Sequence, residues 1–423
     1  MNSALRLRDL SEVELRAVKV AFYLAQGMSE TEITGLLFPP EEPPETARPK
    51  VSNAKKLALR KGWLRRPAFS GKSFSQEDNL ALREEAHHHD WLGLEKELRE
   101  QSGHVLKNLR VFYSGGNEVP KNKDEWDDAV ELFAQNAAPY VLEQLCKSKS
   151  GIAVGWGTTV ACAIEALGEC IGESARLRQN EQKKISIVPT AGYPLQPPKG
   201  RDTASTSVAR MLNDYLNGPR SGRVLSLENI PSVLAEIFKD DAKRKTFLEG
   251  FRYLRDYWEI LGDQDDPNSN SWVNRVDTII SSGGAFHQWQ IFADALLHNS
   301  GIVKDDLTKL AVGDIGGVLI PRLGLNAEDM ARFEQIRRLW TGIRLEKYQR
   351  IARDAARCSD PDGPAGSVLV AIGKNKAEII LDLVIRDDTR VVNSLLIDVY
   401  LARAIRRLLD ERKNNQASPR LKK

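Results

Sequence analysis

Gly151-Ile152-Ala153-Val154-Gly155-Trp156-Gly157-Thr158-Thr159-Val160-Ala161-Cys162-Ala163-Ile164 passes from a short apolar run, through a loop of small residues, into an apolar stretch with helical spacing. Strand, glycine loop and helix in that order is the repeating unit of a parallel sheet covered by helices on both faces. The glycines let the backbone approach an anion closely, and the threonine hydroxyls and the helix N-terminus add hydrogen bonds and a favourable dipole. The loop is a phosphate cradle in principle. It lacks the Gly-Lys-Ser/Thr ending of a P-loop and is not GxGxxG. Glycine loops between strand and helix also occur without ligands.

Working outward, the same alternation runs from Trp91 to about Leu409. Strands are predicted at Leu109–Tyr113, Ile152–Val154, Ile185–Pro189, Val276–Ser281, Ser367–Ala371 and Ser394–Ile397, and helices at Asp127–Leu145, Thr206–Leu216 and Ala377–Leu383. The fold class expected is α/β, a mostly parallel Rossmann-like sheet with helices on both faces, preceded by a small all-α module. Crossover connections bring successive strand ends to one edge of such a sheet. Two further loops could therefore meet the first: Ser281-Ser282-Gly283-Gly284 after a strand, and Gly313-Asp314-Ile315-Gly316-Gly317 after another short apolar run. Asp314 could hold sugar hydroxyls or simply fix a tight glycine turn. Lys376, in the first turn of a helix, could pair with an anion or sit solvated. His287, and the run His87-His88-His89 in a polar stretch, read as packing and solvent-exposed linker. No Ser/His/Asp arrangement and no paired carboxylates argue for catalysis.

The first 66 residues carry a different pattern. Ser11-Glu12-Val13-Glu14 fits a capping box with Leu10 as staple, and Leu15, Val18, Phe22 and Ala25 follow on one helical face up to Gly27. A second capping box at Ser29-Glu30-Thr31-Glu32 opens a shorter helix with Ile33, Leu36 and Leu37. After a long Pro-rich turn, Phe38–Lys50, a third helix is predicted from about Ser52 to Lys61, stopping at Gly62. It places Ala54, Leu57 and Ala58 on one side and Asn53, Lys56 and Arg60 opposite, flanked by Lys55 and Ser52, with Lys50 just ahead. One buried face and one face of amides, hydroxyls and cations suit the major groove of double-stranded DNA, or an ordinary basic surface helix.

Composition sets bounds. The chain has 423 residues, net charge +3 and 41% hydrophobic content. It has no apolar run near the roughly 18 residues of a membrane span and no secretory signal core, so a soluble cytoplasmic protein without membrane partners is expected. The positive charge is concentrated between Arg48 and Arg66, where no acid occurs. Four cysteines, Cys146, Cys162, Cys170 and Cys358, show no metal-ligand spacing and read as buried thiols. The expected division is 1–66 helix-turn-helix, 67–90 linker, 91–410 effector and oligomerisation domain, and 411–423 disordered basic tail. Asp240–Trp272 reads as an inserted helix and loop.

In segment order the sequence resembles the SorC family of sugar-responsive transcription regulators (SorC/DeoR-type), over most of its length. The carrying segments are Lys50-Val51-Ser52-Asn53 through Gly62-Trp63-Leu64, Leu94–Val111, Ala137–Val160, Ala311–Gly317, Gly373–Ile380 and Leu395-Leu396-Ile397-Asp398. The resemblance implies an N-terminal helix-turn-helix joined to a sugar-phosphate-isomerase-like effector domain, in a homodimer or homotetramer. It implies that Gly157, Thr158 and Thr159 bind the phosphate of a phosphorylated sugar, that Asp314 contacts its hydroxyls and Lys376 its charged end. Gly155, Ser282 and Gly283 complete the expected effector site, with no catalytic residue, metal or cofactor. The chain departs from the family where a glutamate and a threonine usually follow Asp398 (Val399, Tyr400 and Leu401 here) and where Asn53 replaces the usual arginine. The function expected is a regulator whose operator affinity is modulated by the phosphosugar. The alternatives are a sugar-phosphate isomerase or aldolase-like enzyme, and a DNA binder that has lost its effector response.

Overall fold

In a computed structural model of the chain, the described residues are 7–25, 28, 30–38, 44–61, 63–65, 68–69, 91–114, 122–173, 185–192, 203–218, 227, 232–234, 240, 242–243, 246–247, 255–262, 270–286, 304–360 and 362–417. His87–His89, His287, Ser29 and most of the expected linker and insertion lie outside them.

Helices α1 (Glu12–Ala25), α2 (Glu30–Leu37) and α3 (Pro44–Lys61) are followed by an antiparallel pair of short strands, β1 (Leu64–Arg65) and β2 (Ala68–Phe69). The first capping box forms as expected: the Ser11 and Glu14 amides donate to the Glu14 carboxylate and the Ser11 hydroxyl. Val18, Ala21 and Phe22 of α1 pack with Ile33 of α2, with Val51, Ala54 and Ala58 of α3 and with Trp63. The third helix corrects its expected start. It begins at Pro44, not Ser52, so Pro44–Lys50 is helical rather than part of a long turn. Proline is tolerated at the first helical position because the N–H there has no intrahelical acceptor. Pro49 lies one turn on and forgoes one bond, while Ala47, buried with Val51, Ala54 and Ala58, extends the apolar stripe that holds the longer helix.

A helix over residues 91–101 (α4) leads to a parallel sheet of six strands. These are β3 (Asn108–Phe112), β4 (Gly151–Val154), β5 (Ser186–Pro189), β6 (Thr278–Gly284), β9 (Gly366–Ala371) and β10 (Ser394–Asp398), arranged β3-β10-β9-β6-β4-β5. All six predicted strands are therefore present. Successive side chains point to opposite faces. Val368, Val370 and Leu396 join one core with α5 (Lys123–Cys146), α6 (Thr158–Glu173) and α7 (Ser205–Asn217). Leu369, Ala371, Leu395 and Ile397 join a second core on the other face.

The hairpin β7 (Ala311–Ile315) and β8 (Val318–Pro321) was not expected. It pairs antiparallel with the end of β6, at Gly283↔Ile315 and Gly284↔Asp314. Ser281–Gly284 and Gly313–Ile315 are consequently strand rather than loop. Gly316 and Gly317 form the tight turn, both with positive φ (54° and 94°), a conformation glycine adopts without strain. On the second face lie α8 (Lys304–Leu310), α9 (Ala327–Arg337), α10 (Leu345–Arg357), α11 (Ala377–Ile385) and α12 (Val399–Ala417).

The last helix corrects the expected tail. Residues 411–417 are helical, and Arg412 and Lys413 reach back to Asp382 and Glu97 at 3.7 and 2.9 Å. The cysteines also differ from expectation: Cys162 is buried, but Cys146 at the end of α5 is exposed and Cys358 is half-buried.

Candidate functional site

Chain direction fixes where the sheet opens. From β4 the chain runs outward to β5 at the edge, whereas from β6 and its hairpin it runs the other way, to β9. The order reverses between β4 and β6, and ligands of open α/β sheets bind in the crevice beyond the strand ends at such a switch point. Gly155-Trp156-Gly157 and the first turn of α6 follow β4 at that switch point, with Ser281 and Ser282 of β6 packed beside the loop.

The glycines act sterically here. The Gly155 amide donates to Ile280 O (2.8 Å) and the Gly157 amide to Thr203 O (3.1 Å), so neither is available to an anion. A Cβ on Gly155 would lie 3.0 Å from Ser281 Cβ, and one on Gly157 would lie 2.8 Å from Ser282 Oγ. Their smallness lets the loop close against β6. Gly283 is likewise a packing residue, since a Cβ there would sit 2.8 Å from Ile380 Cδ1. The Ala161 amide donates to Gly157 O at 3.0 Å, so the amides of Thr158, Thr159 and Val160, in the first turn of α6, precede the first i→i−4 bond of the helix. That end carries the positive pole of the helix dipole.

The remaining candidates are ionic. Asp314 is buried on β7, and its Oδ1 accepts from the Gly317 amide at 2.9 Å. Lys376 ends a 3-10 turn, Lys374–Lys376, just before α11, and is buried rather than solvated. Its ammonium lies 5.7 Å from the centre of the Trp126 ring. Burial lowers its pKa to about 8, opposed by the nearby carboxylates of Asp314 and Asp398.

Asp398, at the C-terminal end of β10, is the functional candidate that residue-level inspection of the sequence missed. It is buried, accepts the Ser114 hydroxyl at 2.9 Å on Oδ2, and accepts the Gly373 and Leu401 amides at 3.1 and 3.0 Å on Oδ1. Burial raises its pKa against those hydrogen bonds and the Lys376 charge. Its signal was positional, a carboxylate ending an otherwise apolar strand. Tyr348 of α10 is a second addition. Its hydroxyl is buried beside that of Ser281, out of good hydrogen-bond geometry, and its pKa is pushed up by burial and by Asp314.

The second candidate surface lies on α3. Lys50, Asn53 and Lys56 are exposed, and Ser52 and Lys55 are half-buried; Arg60 belongs to the same helix. Lys55 reaches Glu30 at 2.7 Å, and Lys50 stacks 5.3 Å from the centre of the Phe38 ring. Among the described residues, no helix is long and apolar enough to cross a membrane, and no His/Cys/Asp/Glu group could hold a metal ion.

No protein-family model and no curated protein matches the chain. Among solved structures, it is similar to the full-length sorbitol operon regulator SorC from Klebsiella pneumoniae, at 16% identity and TM-score 0.47, covering 93% of this chain and 98% of that one. It is similar to a DeoR family transcriptional regulator from Listeria monocytogenes at 18% identity and TM-score 0.48, covering 74% of this chain and 98% of that one. A transcriptional regulator from Streptococcus pneumoniae is similar at 18% identity and TM-score 0.47, covering 77% of this chain and 98% of that one.

Proposed function

We propose that the chain is a DNA-binding transcription regulator of the SorC/DeoR type whose operator affinity is set by a small phosphorylated sugar. The observation that carries the DNA half is α3. It buries Ala47, Val51, Ala54 and Ala58 against α1 and α2 and turns Asn53 and Lys56 outward. The strand pair β1–β2 follows directly, and a helix so presented fits the major groove, with Lys56 on phosphate and Asn53 on adenine. The protein works as a cytoplasmic homodimer or homotetramer, which places two such helices on paired half-sites.

The effector half rests on the crevice. The sugar's phosphate sits on the first turn of α6 with the Thr158 and Thr159 hydroxyls, and Asp314 and Lys376 hold the far end. Asp314 and Asp398 each accept backbone amides. Such bonds fix the two carboxylates in place, where they can accept from a ligand's hydroxyls, which supports a binding site.

The test is fluorescence anisotropy with DNA from just upstream of the protein's own gene against a scrambled duplex, over a salt series. Preference for the upstream duplex, with affinity falling steeply as salt rises, is expected. Lys56→Ala should reduce the log–log salt slope by about 1 on any DNA, whereas Asn53→Ala should leave the slope and lose preference at one base position. Equal, weak binding to both duplexes overturns the reading.

A further inference from the structure

The start of α3 decides which of its residues face outward. Because the helix begins at Pro44, Pro49 belongs to it and shares a face with Asn53 and Lys56. The buried stripe of Ala47, Val51, Ala54 and Ala58 fixes the rotation of the helix. At about 100° per residue, Pro49 and Lys56 lie almost diametrically opposite the middle of that stripe, with Asn53 about 50° to one side. All three are exposed. The other lysines of α3 turn back towards the preceding helices: Lys50 stacks 5.3 Å from the centre of the Phe38 ring, Lys55 pairs with Glu30 at 2.7 Å and Lys61 with Glu14 at 3.1 Å. Pro49 also breaks a local rule. A proline inside a helix gives up the amide bond to the carbonyl four residues back, here Glu45, and an exposed ring does not offset that loss by burial.

We infer that Pro49 is a base-reading residue, packing its ring on the 5-methyl group of a thymine one or two base pairs from the adenine that Asn53 reads. The chemistry of the ring decides the base. Proline's side chain neither donates nor accepts a hydrogen bond, so it can read only an apolar group. In the major groove every base edge offers hydrogen-bonding groups, and thymine alone adds an apolar one, its methyl. Any other edge under the ring would lose water without gaining a hydrogen bond. Spacing sets the position. Residues four apart on a helix differ by about 6 Å in rise, and stacked bases by about 3.4 Å. Charge brings this face to the duplex, because the chain carries no acid between Arg48 and Arg66. The outward face of α3 thus pairs two unlike readers, an amide for adenine and an apolar ring for a methyl group.

This inference rests on the reading of α3 as the DNA-binding helix, and fluorescence anisotropy of the full chain separates the two. The probes are the upstream duplex, its scrambled control, and copies of the upstream duplex in which each thymine in turn is replaced by deoxyuridine. That replacement removes the methyl group and keeps the base pairing. One replacement, within about two base pairs of the position at which Asn53→Ala loses preference, should weaken wild-type binding. The loss expected is about three- to tenfold, the effect of exposing one buried methyl group or slightly more. Pro49→Ser restores the missing amide, so it should not lower the melting temperature. It should bind thymine and deoxyuridine equally at that position, with the salt slope unchanged. Preference for the upstream duplex with no replacement that weakens binding overturns the methyl inference and leaves the DNA-binding reading standing. A Pro49→Ser variant that keeps the wild-type preference for thymine there overturns it equally. Equal, weak binding of the upstream and scrambled duplexes overturns both.

Discussion

Lys376 shows how one side chain ties ligand binding to pH. Buried beside Asp314 and Asp398, its ammonium titrates near 8 instead of the ordinary 10.5. On the proposed reading the charged form donates a hydrogen bond to a sugar oxygen, so affinity for a phosphosugar should be level from pH 7 to about 8. Above its pKa each further pH unit should cost about tenfold. The phosphate itself is largely dianionic throughout that range, with its second pKa at about 6. Stability should move the other way. A folded-state pKa below the unfolded value means that the unfolded chain binds the proton more tightly between about 8 and 10.5. Stability therefore rises across that window as the buried charge is relieved. Calorimetry and urea denaturation at several pH values, each compared with Lys376→Met, check both signs. A wild-type pH profile matching the variant's would show that Lys376 does not titrate there.

At the scale of elements, the hairpin β7–β8 positions Asp314, and its turn leaves no room for change. Gly317 has φ +94°, and a Cβ there would lie 2.2 Å from the Trp340 ring, which packs 5.7 Å from the Trp156 ring behind the glycine loop. Gly317→Ala should cost about 1–3 kcal/mol in backbone strain alone, more with the clash, and should weaken phosphosugar binding because Asp314 shifts with the turn. Urea denaturation and calorimetry measure the two effects. A variant as stable as wild type would mean that the turn relaxes freely. The same hairpin marks where the sequence stops being legible. The six parallel strands are short apolar runs that resemble nothing else, and the switch point follows from their order. In β7, Gly313 and Asp314 interrupt the apolar pattern and mimic a loop; only pairing with the end of β6 makes them strand. Pro44 and Pro49 similarly disguise the first turns of α3, which an apolar stripe formed in three dimensions keeps helical. Asp314 and Lys376 could be nominated from sequence. Their partner Asp398 could not be given a role, because a strand-end carboxylate gains one only when Gly373, Leu401 and Ser114 converge on it.

For the whole molecule, regulation requires a thermodynamic link between the crevice and α3, and that link has a strict consequence. If a phosphosugar changes operator affinity by some factor, the operator must change phosphosugar affinity by the same factor, because both are routes around one cycle. A ligand with equal affinity for the DNA-competent and incompetent states would shift nothing, however tightly it bound. The expected factor is about 5–150-fold, the usual span of such couplings. Two titrations measure it: anisotropy with labelled operator at zero and saturating phosphosugar, and calorimetry with the same phosphosugar, with and without saturating operator. Thr158→Asp serves as control, since a carboxylate in the first turn of α6 should repel the phosphate and remove the ligand's effect on DNA while leaving DNA binding itself in place. Agreement of the two factors establishes a single coupled equilibrium. Tight binding of both ligands with factors near one would identify a constitutive DNA binder whose crevice answers to something other than transcription.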